Sequence, residues 1–302
     1  DKLAQTLYPW LPNSLQQMPQ QFMQVNSTGI VFAVGERYSD IALLAIRALR
    51  EVVKSKLPIE VMYAGNEDLS PETRAKFDGL PNVTTVDLYT YFTSEQDNLR
   101  GFYMKPFALV ASSFRYPILL DADVLFMKDP RLVTESPHFA EYGQVFYTDR
   151  TLPWQFFWPW WGPFGFMPLF IERLRFMTIR SHHEMESGVV AVDKGRTKVL
   201  HALLLACKLN SRVERESLEP VFNSGDKETF WMAWELLRVP FRFAPGYSGM
   251  IGSKGSSFLL RNHVCGSMLH MDENLEPFWW NGGVYANKFQ ADSSMVEYTH
   301  AA

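Results

Sequence analysis

The sequence has little cysteine, no long apolar run and no large excess of charge of either sign. Cys207 and Cys265 are the two cysteines. Two thiols cannot build a disulfide framework or supply every ligand of a four-coordinate zinc site. They leave open one bridge across a long loop, or two buried thiols. No stretch approaches the ~20 consecutive apolar residues that span a bilayer, and the apolar core of a signal peptide is missing too. Membrane contact is therefore expected only through an N-terminal anchor absent from these 302 residues. Lys and Arg total 29 against 33 Asp and Glu, a net charge of −4, which argues against an electrostatic nucleic-acid binder. No Gly-x-Gly-x-x-Gly follows the first apolar strand, and this disfavours a nicotinamide dehydrogenase. Internal repeats and long charge runs are also missing. What remains is 47% hydrophobic and 21% charged, the composition of a folded globular chain.

Residues 1–28 are rich in Gln and Pro without a period, and read as a surface stem or linker. From residue 29 the pattern changes. Gly29-Ile30-Val31-Phe32-Ala33-Val34-Gly35 is an apolar run suited to a buried strand. A helix is expected over 41–54, capped by Ser39 or Asp40, with Ile41, Leu44, Ala45, Ala48, Leu49 and Val52 on one face. Strands follow at 59–63, 83–88 and 117–120. Between them lie helices at 71–77, opened by Ser70-Pro71, and at 105–114. This alternation predicts βαβ units and a mostly parallel sheet, whose ligands bind beyond the carboxyl ends of the strands. In the second half, strands are expected at 143–147 and 188–192, and helices at 197–209 and 226–237. Residues 154–166 hold eight aromatics interrupted by Pro159, Gly162 and Pro163, which disfavours a helix there. They form a wall for sugar rings or a buried aromatic cluster. The sequons Asn26-Ser27-Thr28 and Asn82-Val83-Thr84 lie beside expected strand edges and lean toward a secretory compartment.

The strongest chemical signal is Ile118-Leu119-Leu120-Asp121-Ala122-Asp123. An apolar strand runs straight into two carboxylates two residues apart. In extended chain they point to one side, about 6.7 Å apart, a spacing that suits one hard divalent cation with open positions for substrate phosphates. Fourteen Asp residues give about 0.65 such tripeptides by chance, so the position at a strand end carries the reading. Neighbouring like charges there call for a cation. Glu186-Ser187-Gly188 precedes the next buried strand. Gly188 would let a ligand approach the backbone, and Glu186 would face a sugar carbon or an acceptor hydroxyl, or else be an exposed strand-entry residue. In Gly225-Asp226-Lys227-Glu228, Asp226 is either a helix cap or part of an acceptor site with Lys227 beside negative charge. His270, after an apolar stretch, is either a buried side chain or a third metal ligand. Lys105 is either a phosphate-neutralising group or a surface lysine.

These pieces, in this order, resemble the fungal mannosyltransferases of glycosyltransferase family 71. The resemblance rests on strand 29–34, Met104-Lys105-Pro106-Phe107-Ala108-Leu109, the Asp121-Ala122-Asp123 strand end, Glu186-Ser187-Gly188-Val189-Val190 and Gly225-Asp226-Lys227-Glu228-Thr229-Phe230-Trp231. It covers roughly residues 29–280. Residues 183–192 and Trp231-Met232-Ala233-Trp234 are most similar to the α-1,3 branch; the α-1,2 branch shares the acidic motif and Gly-Asp-Lys-Glu. The resemblance implies a GT-A fold over 29–302, with residues 29–130 as the nucleotide-sugar half and 131–302 as the acceptor half. It implies GDP-mannose as donor, Mn²⁺ as cofactor, a mannose-containing glycan as acceptor, retention of configuration, and residence in the Golgi lumen beside other mannosyltransferases. Asp121, Asp123 and His270 would bind the metal. Glu186 and Asp226 would be catalytic, with Glu186 a nucleophile or a cation stabiliser and Asp226 orienting the acceptor. Val34, Gly35, Tyr38, Ala64, Gly65, Lys105, Asp121, Ala122, Ser187, Gly188, Gly225 and Lys227 would line the substrates. One departure stands out. Relatives carry a diphosphate-holding Lys after the His, whereas 272–277 contains none, leaving Lys105 or Lys254 as substitutes. Transfer from another nucleotide sugar, and a catalytically silent glycan-binding subunit, are the alternatives.

Overall fold

The computed structural model describes residues 6–11, 17–23, 26–92, 99–151, 175, 180–181, 183–216, 225–254, 264–284 and 298–301. The aromatic run 154–166 lies outside the described residues.

The apolar runs form strands because both of their faces are covered. β1 (Thr28–Ala33), β2 (Ile59–Tyr63), β3 (Val83–Asp87) and β4 (Tyr116–Leu120) pair in parallel, in the order β3-β2-β1-β4. Two further strands extend the sheet from β4. β7 (Met185–Val192) pairs antiparallel with β4, and β6 (Gln144–Thr148) pairs antiparallel with β7. Side chains alternate between the sheet's faces. Ile30, Phe32, Ile118, Leu120 and Val189 join one core with the helix Ser39–Glu51, while Val31, Leu119 and Val190 join the other with helices Lys105–Ala111, Thr197–Asn210 and Lys227–Leu236. This sheet, flanked by helices, is the mixed, mostly parallel α/β arrangement that the sequence led one to expect.

A second, antiparallel sheet was not anticipated. β5 (Val124–Phe126) leaves the main sheet immediately after the acidic motif and pairs with β10 (Pro277–Asn281). β10 pairs with β9 (Val264–Met271), β9 with β8 (Gly249–Lys254), and β8 with β11 (His300–Ala301). The acidic motif is therefore not extended chain. It is a turn between the two sheets, closed by Val124 N–H donating to Asp121 O at 3.1 Å.

Local signals were met unevenly. Ser70 Oγ accepts from Thr73 N at 3.2 Å ahead of Pro71, the expected cap. Ser39, by contrast, is the first helical residue and its hydroxyl donates to Glu36 O, so neither expected residue caps that helix. Tyr8, Trp10 and Met18, from the segment expected to lie on the surface, are buried in the core, with Trp10 edge-on to Phe92 and Phe107. Asn26 and Asn82 are exposed beside β1 and β3. Cys207 is buried in the helix Thr197–Asn210, and the side chain of Cys265 lies outside the described residues. No helix among the described residues is long and apolar enough to cross a membrane.

Candidate active site

Strand direction assembles the site. β1, β2 and β4 end at one edge of the sheet, and β6, running the same way as β4, ends there too. β7 runs oppositely, so its first residues lie where the others finish. The edge thus gathers Asp121 from the end of β4, Asp149 from the end of β6, and Glu186 and Ser187 from the start of β7. Asp226 and Lys227 arrive at the start of the helix Lys227–Leu236.

Lys105 sits at the centre. It opens the helix Lys105–Ala111 and is only 4% exposed, so the surface-lysine alternative fails. Its ammonium lies 2.7 Å from Asp121 Oδ1 and 3.4 Å from Asp226 Oδ1, and donates to Ser187 Oγ at 3.1 Å. Burial alone would lower its pKa; Asp121 and Asp226 overcome that and raise it. Lys105 is therefore tied to the cluster's own carboxylates. Lys254, the other substitute, is exposed at the end of β8.

Asp226 occupies the N-cap position, yet its side chain makes no capping bond. One oxygen is turned to Lys105, and Oδ2 has no hydrogen-bond partner among the described residues. Lys227 pairs with Asp149 Oδ2 at 2.6 Å. Asp149 escaped sequence reading because a lone Asp carries no motif, although the strand-end rule points to it. Glu186 is buried, and its Oε1 accepts from Gly188 N–H and from Asn281 Nδ2, both at 2.8 Å. Asn281, on the unanticipated second sheet, had no signal in the sequence.

Five carboxylates (Asp121, Asp123, Asp149, Glu186, Asp226) thus meet two ammonium groups (Lys105, Lys227). Two of these carboxyls are raised, chiefly by burial. Burial, with Asp123 and Asp226 adding to it against Lys105, pushes Asp121 up to about 6. Burial, then Asp149 and Asp121, pushes Glu186 up to about 7. Such an imbalance suits a hard dication, which needs only one or two carboxylates when substrate phosphates complete its shell. Asp121 and Asp123 fit that donor set. The expected trio does not form: among the described residues no three His, Cys, Asp or Glu side chains converge on a metal position. The reason is local. His270 stacks on Trp279 with ring centroids 4.0 Å apart and meets Tyr147 edge-on. At 2% exposure, burial pushes its pKa down to about 3, and Nε2 has no partner among the described residues.

The remaining expected residues divide. Gly35, Tyr38 and Gly65 lie partly open beyond β1 and β2, and Ala122 and Gly225 are partly open as well. Val34 and Ala64 are buried, their N–H groups donating to Met62 O and Asp68 Oδ2, so their side chains pack rather than face a ligand. Ser187 is spent on Lys105. A cavity of about 180 Å³ bounded by Val133, Tyr147, Met271 and Phe278 contains none of the expected site residues.

Comparison with known proteins gives this geometry a family. A family model described as that of mannosyltransferases matches residues 27–159 and 173–272. MNN13 of Candida albicans is 23% identical over 330 residues, covering 90% of this chain and 42% of MNN13. The α-1,3-mannosyltransferase MNT2 of Saccharomyces cerevisiae is 25% identical over 320 residues, covering 92% of this chain and 55% of MNT2. The solved structure of the S. cerevisiae mannosyltransferase Ktr4p in complex with GDP aligns at a TM-score of 0.43 and 11% identity, covering 73% of this chain and 75% of that one. The chain spans about half the length of the curated relatives it matches. Every expected site residue from Val34 to His270 falls inside the matched segments, and the chain belongs to the mannosyltransferase family.

Proposed function

We propose that this chain is the catalytic unit of a retaining Golgi mannosyltransferase that moves mannose from GDP-mannose to a mannose-terminated N- or O-glycan, forming an α-1,3 linkage. The observation that supports this best is the acid-rich cluster around Lys105 at the carboxyl edge of the sheet, where ligands of such sheets bind. The linkage follows that of MNT2.

Asp121 and Asp123 would hold Mn²⁺, which when bound supplies Lewis-acid stabilisation of the departing diphosphate. The other steps fall to the chain itself. Lys105 ties Asp121 to Asp226, so the donor and acceptor sides of the site share one anchor. Asp226 keeps Oδ2 for an acceptor hydroxyl. Glu186 meets the sugar either as nucleophile on its β face or as counter-charge to an oxocarbenium-like transition state. Gly35, Tyr38 and Gly65 would border the nucleotide.

The test is incubation with GDP-mannose, Mn²⁺ and a mannobiose acceptor, followed by linkage analysis. An α-1,3 product supports the proposal, and an α-1,2 product reassigns the linkage. Turnover with a UDP-sugar alone removes the donor assignment. Glycan binding with no GDP release from GDP-mannose makes the chain a silent glycan-binding subunit.

A further inference from the structure

The two sheets meet at the last residues of β10, and the contacts there fall on the acidic cluster. The amides of Gly282 and Gly283 donate to the main-chain oxygen of Asp123 at 3.2 and 2.8 Å. One residue earlier, Asn281 Nδ2 reaches across to Glu186 Oε1 on β7 at 2.8 Å. Gly188 N–H donates to that same oxygen, so both bonds fall on Oε1, and Oε2 has no hydrogen bond among the described residues. Gly188 makes the contact possible. A Cβ there would stand 2.9 Å from both Asn281 Nδ2 and Glu186 Oε1. Its backbone is not in the left-handed region, so what glycine supplies is space.

We infer that Asn281 is a positioning residue: together with Gly188 it clamps one oxygen of Glu186 and presents the other, Oε2, to the reacting sugar. The second sheet thereby sets the distance between the acidic turn and the Glu186 carboxylate, since residues 281–283 hold both. The inference rests on the role proposed for Glu186. A neutral carboxamide is the partner that suits this position. It donates one strong bond and adds no charge to a carboxylate already facing Asp149 beyond β6, Asp121 beyond β4, and the ammonium groups of Lys227 and Lys105 from their helices.

The test uses N281A, N281D and G188A in the 302-residue chain, with E186Q as reference and GDP affinity as the check of folding. N281A should lower kcat about 10- to 100-fold, the size of one hydrogen bond to a charged group, with GDP affinity and donor KM unchanged. N281D keeps the shape and loses the donor. Its kcat should fall further than that of N281A at pH 7.5, where a second carboxylate then faces Glu186. G188A should reproduce the N281A loss from the opposite side, by pushing the two side-chain tips apart. Wild-type kcat in N281A and N281D, with E186Q inactive, overturns the clamp and leaves the role of Glu186 standing. Full activity in E186Q removes Glu186 from the reaction, and the clamp with it.

Discussion

Replacing Glu186 with Gln should make this protein more stable at alkaline pH while silencing it. The carboxyl is raised from 4.5 to about 7, by burial first and then by Asp149 and Asp121. A carboxyl whose folded pKa lies above its unfolded value favours folding at low pH and opposes it as pH rises through the folded value. At pH 8 the side chain is ionised in both states, and the cost of keeping it folded is about 3 kcal/mol at 1.36 kcal/mol per pKa unit. At pH 5 it is protonated when folded, and the cost drops below about 1 kcal/mol. Gln removes the charge and keeps the acceptor, so Gly188 N–H and Asn281 Nδ2 retain their partner. Its amide replaces an oxygen that faces two carboxylates. Urea unfolding of both proteins at pH 5, 6, 7 and 8 should therefore show E186Q gaining on wild type across the series, to about 3 kcal/mol at most. Transfer should fall by orders of magnitude at pH 8, where the wild-type carboxylate is ionised. A stability difference that does not vary with pH, or a less stable E186Q at pH 8, would refute the assignment of Glu186 as a charge-strained group.

Lys105→Met should act in the opposite sense. It leaves Asp121 and Asp226 buried without a counter-charge, a loss of about 3–5 kcal/mol at pH 7.5. Asp121, already pushed up to about 6, then sits further above its unfolded pKa, so urea midpoints should recover toward pH 5.5 as it takes up a proton; an equal deficit at both pH values would contradict the pairing. Asp123→Ala should abolish transfer, with stability within about 1 kcal/mol of wild type, because Gly282 and Gly283 bond to the main-chain oxygen that alanine keeps. Full activity of D123A in the presence of EDTA would end the divalent-cation proposal.

What could be read in advance follows from how local each cause is. The runs at β1, β2 and β4 are buried on both faces, so they are apolar throughout and bounded by Gly, Pro and charge; their positions came out within about a residue. Ser70-Pro71 announces a helix through bonds made within four residues. The second sheet gave no such signal. β8 contains Gly249 and Gly252, and β9 begins Val264-Cys265-Gly266-Ser267, which reads as a loop. β5 is only three residues long, and its partner β10 lies some 150 positions further along. The same limit governs the site. Asp121, Glu186 and Asp226, which the sheet edge brings together, each stand in a compact motif, and Lys105 precedes one. Asp149 and Asn281 were missed because each is a single residue whose meaning depends on a strand from elsewhere.

His270 shows the converse error. A histidine after an apolar stretch supports two readings, ligand and buried ring, and only its neighbours separate them. Here Trp279, cross-strand from it on β10, takes one face of the imidazole, and Tyr147 from the main sheet closes the edge. Lys105 carries the same lesson with the charge reversed. Its position ahead of the acidic strand leaves a phosphate contact and a surface lysine as alternatives. The strand order instead delivers Asp121, Asp226 and Ser187 to it at once, and an ammonium group with three protons is filled by three such partners. The charge of that ammonium group is therefore answered by the chain's own carboxylates, a pairing that only the assembled sheet edge reveals.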